Sequence, residues 1–262
     1  MIDIKQKETV VSLGMFDGVH MGHRALLSEA LKIARDNNNE PIVYTFENHP
    51  MSILGMMMPK LLMTLEERTA SIKNLGISKI EAVRFNEELA SMEPLDFITG
   101  LVSRYHIKHI VAGFNYSFGK FGKGTSDDLI KYGKLLGYNV KIIPPVIFQG
   151  CPVSSTRIRQ SLENGCIEEA NLMLQSDYTL SGRVMSNKHI GTKIGYPTAN
   201  ISVPEEKQLP ASGVYAAVVR LNNKENYYAV TNIGNNPTVL GSNTTIESHL
   251  IGFSGDLYDS NI

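Results

Sequence analysis

A chain of 262 residues, 42% hydrophobic and 19% charged, can bury a sizeable core in one or two domains. Its formal net charge of −1 gives no global basic field for nucleic acid, and no apolar run is long enough to span a bilayer. Cys151 and Cys166 are too few for a disulfide framework, and the opening stretch MIDIKQKETVVSLG lacks a signal peptide's apolar segment, so the expected setting is reduced and cytoplasmic.

Along the first 150 residues two patterns alternate. Short apolar runs read as buried strands at 9–14, 41–46, 80–85, 107–113 and 139–146. Amphipathic runs between them read as helices at about 22–37, 65–75, 94–105 and 126–137. Within 65–75, Leu65, Ile72 and Leu75 can share a face, and Gly76 supplies a stop. Strand and helix repeated in this way predict a parallel sheet covered on both faces. Ligands of such sheets bind at the carboxyl ends of the strands, which places Gly14–His23 on the functional rim. The methionine cluster MMMPKLLM at 56–63 reads either as flexible apolar packing or as an adaptable wall for a flat aromatic ligand. Residues 155–174 read as helix. From about residue 178 the texture changes to short β-rich runs, YTLSGRVM, GVYAAVVRL, YYAVTNIG and TTIESHLIGF, separated by turn residues. They predict a small antiparallel barrel or sandwich.

The stretch GMFDGVHMGH, Gly14–His23, ends a strand and opens a helix. Backbone amides at a helix start are unsatisfied and favour phosphate, and glycines permit close approach. His20 and His23, three apart, can point into one space and add directional donors, with further positive charge if protonated. Surface or capping histidines remain an alternative. A metal site is a weaker one, since no third His or Cys lies nearby. In VSSTRIR, 153–159, Ser155 and Thr156 offer hydroxyls at a helix start, and Arg159, one turn on, offers a guanidinium to the same phosphates. An ordinary Ser/Thr cap is the alternative there.

Taken together these strings resemble a known family. GMFDGVHMGH resembles the HxGH signature of nucleotidylyltransferases in the form found in prokaryotic FAD synthetases, and VSSTRIR resembles that family's SSTxxR. AGFNYSFGKFGKG at 112–124 resembles its glycine- and aromatic-rich loop, with Asn115 where Asp is common. FENHP at 46–50 resembles FxPHP, with Asn48 in place of the first proline. GTKIGYPTANI at 191–201 resembles the PTAN motif of riboflavin kinases, and IESHL carries Glu247 where that family has its catalytic carboxylate.

The resemblance implies a Rossmann-like nucleotidylyltransferase domain with a parallel sheet over 1–177. A small antiparallel β-barrel, riboflavin kinase-like and incomplete at its C-terminal end, would follow over 178–262. The implied reaction is adenylyl transfer: FMN phosphate attacks the α-phosphorus of ATP, giving FAD and pyrophosphate, with Mg²⁺ bridging phosphate oxygens. His20 and His23 would stabilise the α-phosphate transition state. Ser155, Thr156 and Arg159 would hold the β- and γ-phosphates. Gly14, Phe16, Asp17, Gly18, Gly22 and Asn115 would contact nucleotide. In the second domain Gly191, Gly195, Thr198 and Asn200 would hold ATP and Mg²⁺, with Glu247 as kinase base. The implied partners are these small molecules, with flavin-dependent apoproteins as possible recipients of FAD, and neither nucleic acid nor membrane.

Thr192 stands where the family usually has Arg, Asn236 where a basic residue is frequent, and Asp259 where Gly is usual; the sequence given ends at Ile262, short of the family's last strand and helix. The expectation is therefore a working adenylyltransferase with a kinase-like domain of doubtful activity. The alternatives are a bifunctional kinase/synthetase, a nucleotidyl transfer with another acceptor, and a non-catalytic flavin-binding protein.

Overall fold

The computed structural model of the chain describes residues 7–53, 55, 57–185, 198–222, 225–238 and 241–262. Five strands, β1 (Thr9–Leu13), β2 (Glu40–Phe46), β3 (Lys79–Val83), β4 (Ile107–Gly113) and β5 (Asn139–Ile143), pair in parallel in the order β3-β2-β1-β4-β5. The connecting helices are α1 (Met21–Asp36), α2 (Leu65–Asn74), α3 (Glu87–Ser91), α4 (Pro94–Tyr105) and α5 (Ser126–Leu136). The fold class read from the alternating pattern holds.

Both faces of the sheet are buried because successive strand residues point to opposite sides. Val11, Leu13, Ile42, Ile110 and Ala112 pack with Phe97, Ile98 and Leu101 of α4 and Leu129 of α5. Their sequence neighbours Val10, Val43 and Val111 pack on the other side with Leu26, Leu27 and Ala30 of α1 and Ile72 of α2. Each fully buried aliphatic side chain is worth roughly 1.5–3 kcal/mol relative to exposure, so this double core fixes the register of the central strands β1, β2 and β4. The helices start where the sequence supplies caps. Thr64 and Glu67 form a capping box on α2, and Thr125 and Asp128 form one on α5.

Three local features depart from the sequence reading. Residues 155–174 form two helices, α6 (Ser155–Glu163) and α7 (Ile167–Leu174), because Gly165 adopts a φ of +73° between them. A small hairpin, β6 (Ile147–Phe148) and β7 (Cys151–Pro152), turns through Gln149 and Gly150 at φ of 49° and 78°. α3 is a further addition, too short to show a period; Asn86 caps it by accepting from the Leu89 amide.

The later strands, β8 (Arg183–Met185), β9 (Ala199–Ser202), β10 (Gly213–Arg220), β11 (Asn226–Thr238) and β12 (Gly241–Leu250), form an antiparallel sheet in the order β10-β11-β12-β9-β8. Val184, Ala199, Val219, Leu221, Ala229 and Leu250 make its core. The last residues of the sequence given continue this sheet: Val184 donates to Ser260 O at 2.9 Å, and Gly182 and Ile262 exchange backbone hydrogen bonds. β8 spans only part of the run expected at 178–185, and β9 has no counterpart among the expected strands. By internal contacts the chain divides into two compact units, one of Met1–Arg157 with Met173–Gln175, the other of Ile158–Leu172 with Ser176–Ile262.

Candidate active site

β1 lies between β2 and β4, so the direction of winding reverses at its carboxyl end. Open α/β sheets bind ligands at such a switch point. The turn that leaves β1 there is strained. Phe16 and Val19 take φ of 54° and 40° although neither is glycine, and both are fully buried. Gly18 between them has φ +86°, and a Cβ there would meet Leu62 Cδ1 at 2.8 Å. Backbone strain of this kind persists only where its surroundings over-determine it.

The two histidines of the turn sit against one another. Their rings stack with centroids 3.7 Å apart and 17° between planes, and the Phe16 ring meets His23 edge-on at 5.3 Å. His20 is the N-cap of α1, and its Nδ1 accepts from the Gly22 amide at 3.2 Å. That bond assigns the ring proton to Nε2 and makes that nitrogen a donor. Gly22 permits this: a Cβ would lie 3.2 Å from His20 Cε1. Burial pushes the His20 imidazolium pKa down to about 4. Burial, then the neighbouring charges of His20 and Arg68, hold that of His23 well below the usual range. Burial thus favours the uncharged form of both rings and works against the cationic contribution considered from sequence. Nδ1 of His23 is buried and has no hydrogen-bond partner.

Asp17, expected to contact nucleotide, is 3% exposed and turned inward. Its carboxylate accepts from the amides of Leu62 at 3.0 Å and Met63 at 3.0 Å, and its carbonyl accepts from Ser155 Oγ at 2.9 Å. In this state Asp17 ties the turn to the segment ahead of α2, and Ser155 ties α6 to the turn. Ser155 keeps oxygen lone pairs but has its proton engaged. Arg68 of α2 donates to the carbonyls of Met15 and Phe46, the latter at 2.7 Å, while Thr45 Oγ1 reaches Met15 O at 3.2 Å. Burial lowers the Arg68 pKa, and Asp17 offsets part of that. Nothing in the sequence singles out Arg68; a buried arginine inside TLEER has no periodic signature.

Gly14, Phe16, Asp17, Gly18, His20, Gly22, His23 and Ser155 are thus brought together. Asn115 is exposed in the loop after β4, the other strand flanking the switch point, and Thr156 is exposed at the start of α6. Arg159 is half-buried one turn further along α6, in the segment assigned to the second unit. Asn48, which replaces the family proline, makes a reciprocal pair with the Phe85 backbone at 2.8 and 3.0 Å and so joins the ends of β2 and β3. The adjacent His49 accepts from the Met51 amide through Nδ1. The methionine cluster is divided: Met57 is 93% exposed, whereas Leu62 at its end is fully buried under Gly18.

In the second unit Asn200 of β9 stands opposite Glu247 of β12, and Glu247 opposite Asn232 of β11, so the three share a face of the sheet. Thr198 immediately precedes β9. Gly191 and Gly195 lie outside the described residues. No group of three or more His, Cys, Asp or Glu side chains suited to a metal ion occurs among the described residues, and none of their helices is long and apolar enough to cross a membrane.

Comparison with known proteins agrees with the motifs. Residues 2–157 match the family model of FAD synthetase and residues 174–262 that of riboflavin kinase. The bifunctional riboflavin kinase/FMN adenylyltransferase of Listeria monocytogenes is 36% identical over 252 residues, 95% of this chain and 80% of that one. Its counterpart in Bacillus subtilis is 36% identical, covering 100% and 84%, and that of Escherichia coli K12 is 33% identical, covering 98% and 82%. A crystal structure described as a macrolide-efflux protein from Streptococcus pneumoniae superposes with a TM-score of 0.90 at 33% identity, covering 97% of this chain and 83% of that one. A strained, buried HxGH turn at the switch point of a parallel sheet, followed by a β domain with a PTAN-type strand, accordingly places this chain in the bifunctional riboflavin kinase/FMN adenylyltransferase family.

Proposed function

We propose that the chain transfers AMP from ATP to FMN. A phosphate oxygen of FMN forms a bond to the α-phosphorus, the bond from that phosphorus to the bridging oxygen breaks, and pyrophosphate leaves with the electron pair. The observation that carries this reading is the pair of stacked, neutral imidazoles at the amino end of α1. Both reactants are polyanions, so positioning and charge stabilisation carry most of the catalysis. His20 would direct Nε2–H at the α-phosphate, and His23 would follow it as negative charge accumulates. The free amides of α1 and its dipole would face the same phosphates. Thr156 and Arg159 would hold the β- and γ-phosphates, and Asn115 the nucleotide or flavin side. Ser155 would share in this only by exchanging its bond to Asp17.

Mg²⁺ fits the chemistry of both regions differently. In the first unit the Asp17 carboxylate is occupied by backbone amides, so the ion would be carried on phosphate oxygens and its own waters. In the second, the Thr198 hydroxyl and Asn200 amide oxygen are hard donors of the right type. The ion would neutralise phosphate charge. We assign adenylyl transfer to residues 1–177 and the kinase-like domain to 178–262. A second reading, that the chain also phosphorylates riboflavin, is favoured by the Asn200–Glu247–Asn232 row. Glu247 would then accept the proton of the ribityl hydroxyl.

The test is incubation of the chain with ATP and Mg²⁺ and either FMN or riboflavin, with the flavins resolved by chromatography. FAD from FMN is the expected product. FAD from FMN alone leaves the kinase-like domain silent, FAD from both establishes the bifunctional reading, and no FAD from either overturns the assignment.

A further inference from the structure

β10 ends its sheet in the order β10-β11-β12-β9-β8, and the last residues of the sequence given pair at the opposite edge, Asn261 with Arg183. Among the described residues no strand lies on the other side of β10. The ladder fixes which backbone groups point that way. The Leu221 amide donates to Glu225 O, one step beyond the Arg220–Asn226 pair that closes the β10–β11 register. Bonded and non-bonded pairs alternate along an antiparallel ladder. Gly213, Tyr215, Ala217 and Val219 therefore bond β11, and the N–H and C=O groups of Val214, Ala216, Val218 and Arg220 point away from the sheet.

Proteins blunt such an edge with lysine, proline or a bulge. β10, GVYAAVVR, has none of these and no charge before its last residue. Its outer face is apolar as well. Val214 is 70% and Val218 62% exposed, and Tyr228 and Val230, which stand opposite Val218 and Ala216 on the same face of β11, are exposed too.

The strand is also complementary to itself. About a two-fold axis at Ala216, Val214 stands opposite Val218 of the partner subunit, and the two alanines face each other. Every one of these pairs joins backbone groups that point off the edge. On the inner face Tyr215 meets Ala217 of the partner subunit and Gly213 meets Val219 of the partner subunit, large against small. Moving the axis to Ala217 would set Val214 against a charged Arg220 and Tyr215 against Val219.

We propose that β10 is a homodimer interface: two copies of this chain join antiparallel along it about a two-fold axis at Ala216, forming one continuous sheet. About six backbone hydrogen bonds cross the seam. The pairing is closed, so it consumes the edge in both copies and does not grow into a fibre. One strand pair is a small interface, and the dimer should be a weak, concentration-dependent one.

The experiment is analytical ultracentrifugation of the full chain from about 1 to 200 μM, together with disulfide trapping. A monomer–dimer equilibrium is expected across that range. Val218→Lys places a charge in the seam and should weaken association about ten-fold or more, with unchanged far-UV circular dichroism. Trapping needs the exposed Cys151 and Cys166 replaced by serine. In that background Ala216→Cys should give a covalent dimer on mild oxidation, because Cα atoms of a bonded pair lie about 5.5 Å apart. Val230→Cys, one strand back from the seam on the same face, should not. A monomer throughout the range overturns the proposal, as does a dimer indifferent to Val218→Lys. So does a missing Ala216→Cys disulfide, or one formed as readily through Val230→Cys. Should Val218→Lys fail to fold, the trapping decides.

Discussion

Burial favours the uncharged form of both HxGH histidines before any ligand arrives. Their pKa values are lowered by burial, His20's to about 4 and His23's well below the usual range, so the unfolded chain binds more protons than the folded one between about pH 6.5 and 4. The stability they confer is complete above their unfolded pKa and is lost as pH falls toward the folded values. At about 1.4 kcal/mol per pKa unit, His20 alone accounts for about 3 kcal/mol across that window. The melting temperature of the adenylyl-transfer unit should therefore fall steeply from pH 6.5 downward. It should fall less in His20→Asn, which retains a capping acceptor without a titrating ring. A wild-type melting curve flat over that range would show that the rings are not held neutral. Removing the second ring tests its role in chemistry. His23→Ala should lower turnover about 100-fold or more, with near-normal far-UV circular dichroism, as measured by FAD formation from saturating FMN and ATP.

At the level of elements, strand and helix identities follow from periodicity because both faces of the sheet are buried and each helix shows it one apolar stripe. Val10 and Val11 pack into opposite clusters, and that alternation is local information. The HxGH turn is legible as well, since its glycines and histidines answer to backbone geometry and capping. The Asp17–Leu62 tie and the burial of Arg68 are not legible. They pair residues about fifty positions apart, and their signal is only three-dimensional. The break at Gly165 escapes a periodicity reading because helical apolar spacing resumes on its far side. Asn48 is an intermediate case. The motif marks it as a departure from the family, and in the structure its side chain takes the place of a backbone pair between the ends of β2 and β3. Asn48→Ala should leave the Phe85 amide and carbonyl without these partners and cost about 1–3 kcal/mol. Asn48→Pro should restore the family sequence without restoring these bonds. Denaturation of both variants measures the difference, and a cost below about 0.5 kcal/mol for the alanine variant would show that water replaces the side chain fully.

For the whole molecule, the two family regions meet between 157 and 174, while the packing assigns Ile158–Leu172 to the second unit. That assignment has specific contacts behind it. The Ala211 amide donates to Leu162 O at 2.9 Å and the Tyr178 amide to Asn171 Oδ1 at 2.7 Å. Ile158, Leu162 and Ala170 are fully buried. A fragment beginning at 178 would lose α6 and α7, leaving Tyr178 and Ala211 without these partners. A fragment of 158–262 keeps these hydrogen bonds, all of α7 and all of α6 beyond its first three residues. The longer fragment should therefore melt cooperatively at a higher temperature than 178–262, by several degrees for each kcal/mol retained. The complementary fragment 1–177 should expose the buried side chains of α6 and bind a hydrophobic dye that the full chain does not. Equal melting of the two C-terminal fragments would return the boundary to 177, where sequence texture alone puts it. A higher melting point for the longer one would make α6 and α7 part of the β domain's own fold. In that case Arg159 of the SSTxxR signature would be carried by the unit that bears the kinase motifs, and Ser155 by the unit that bears HxGH.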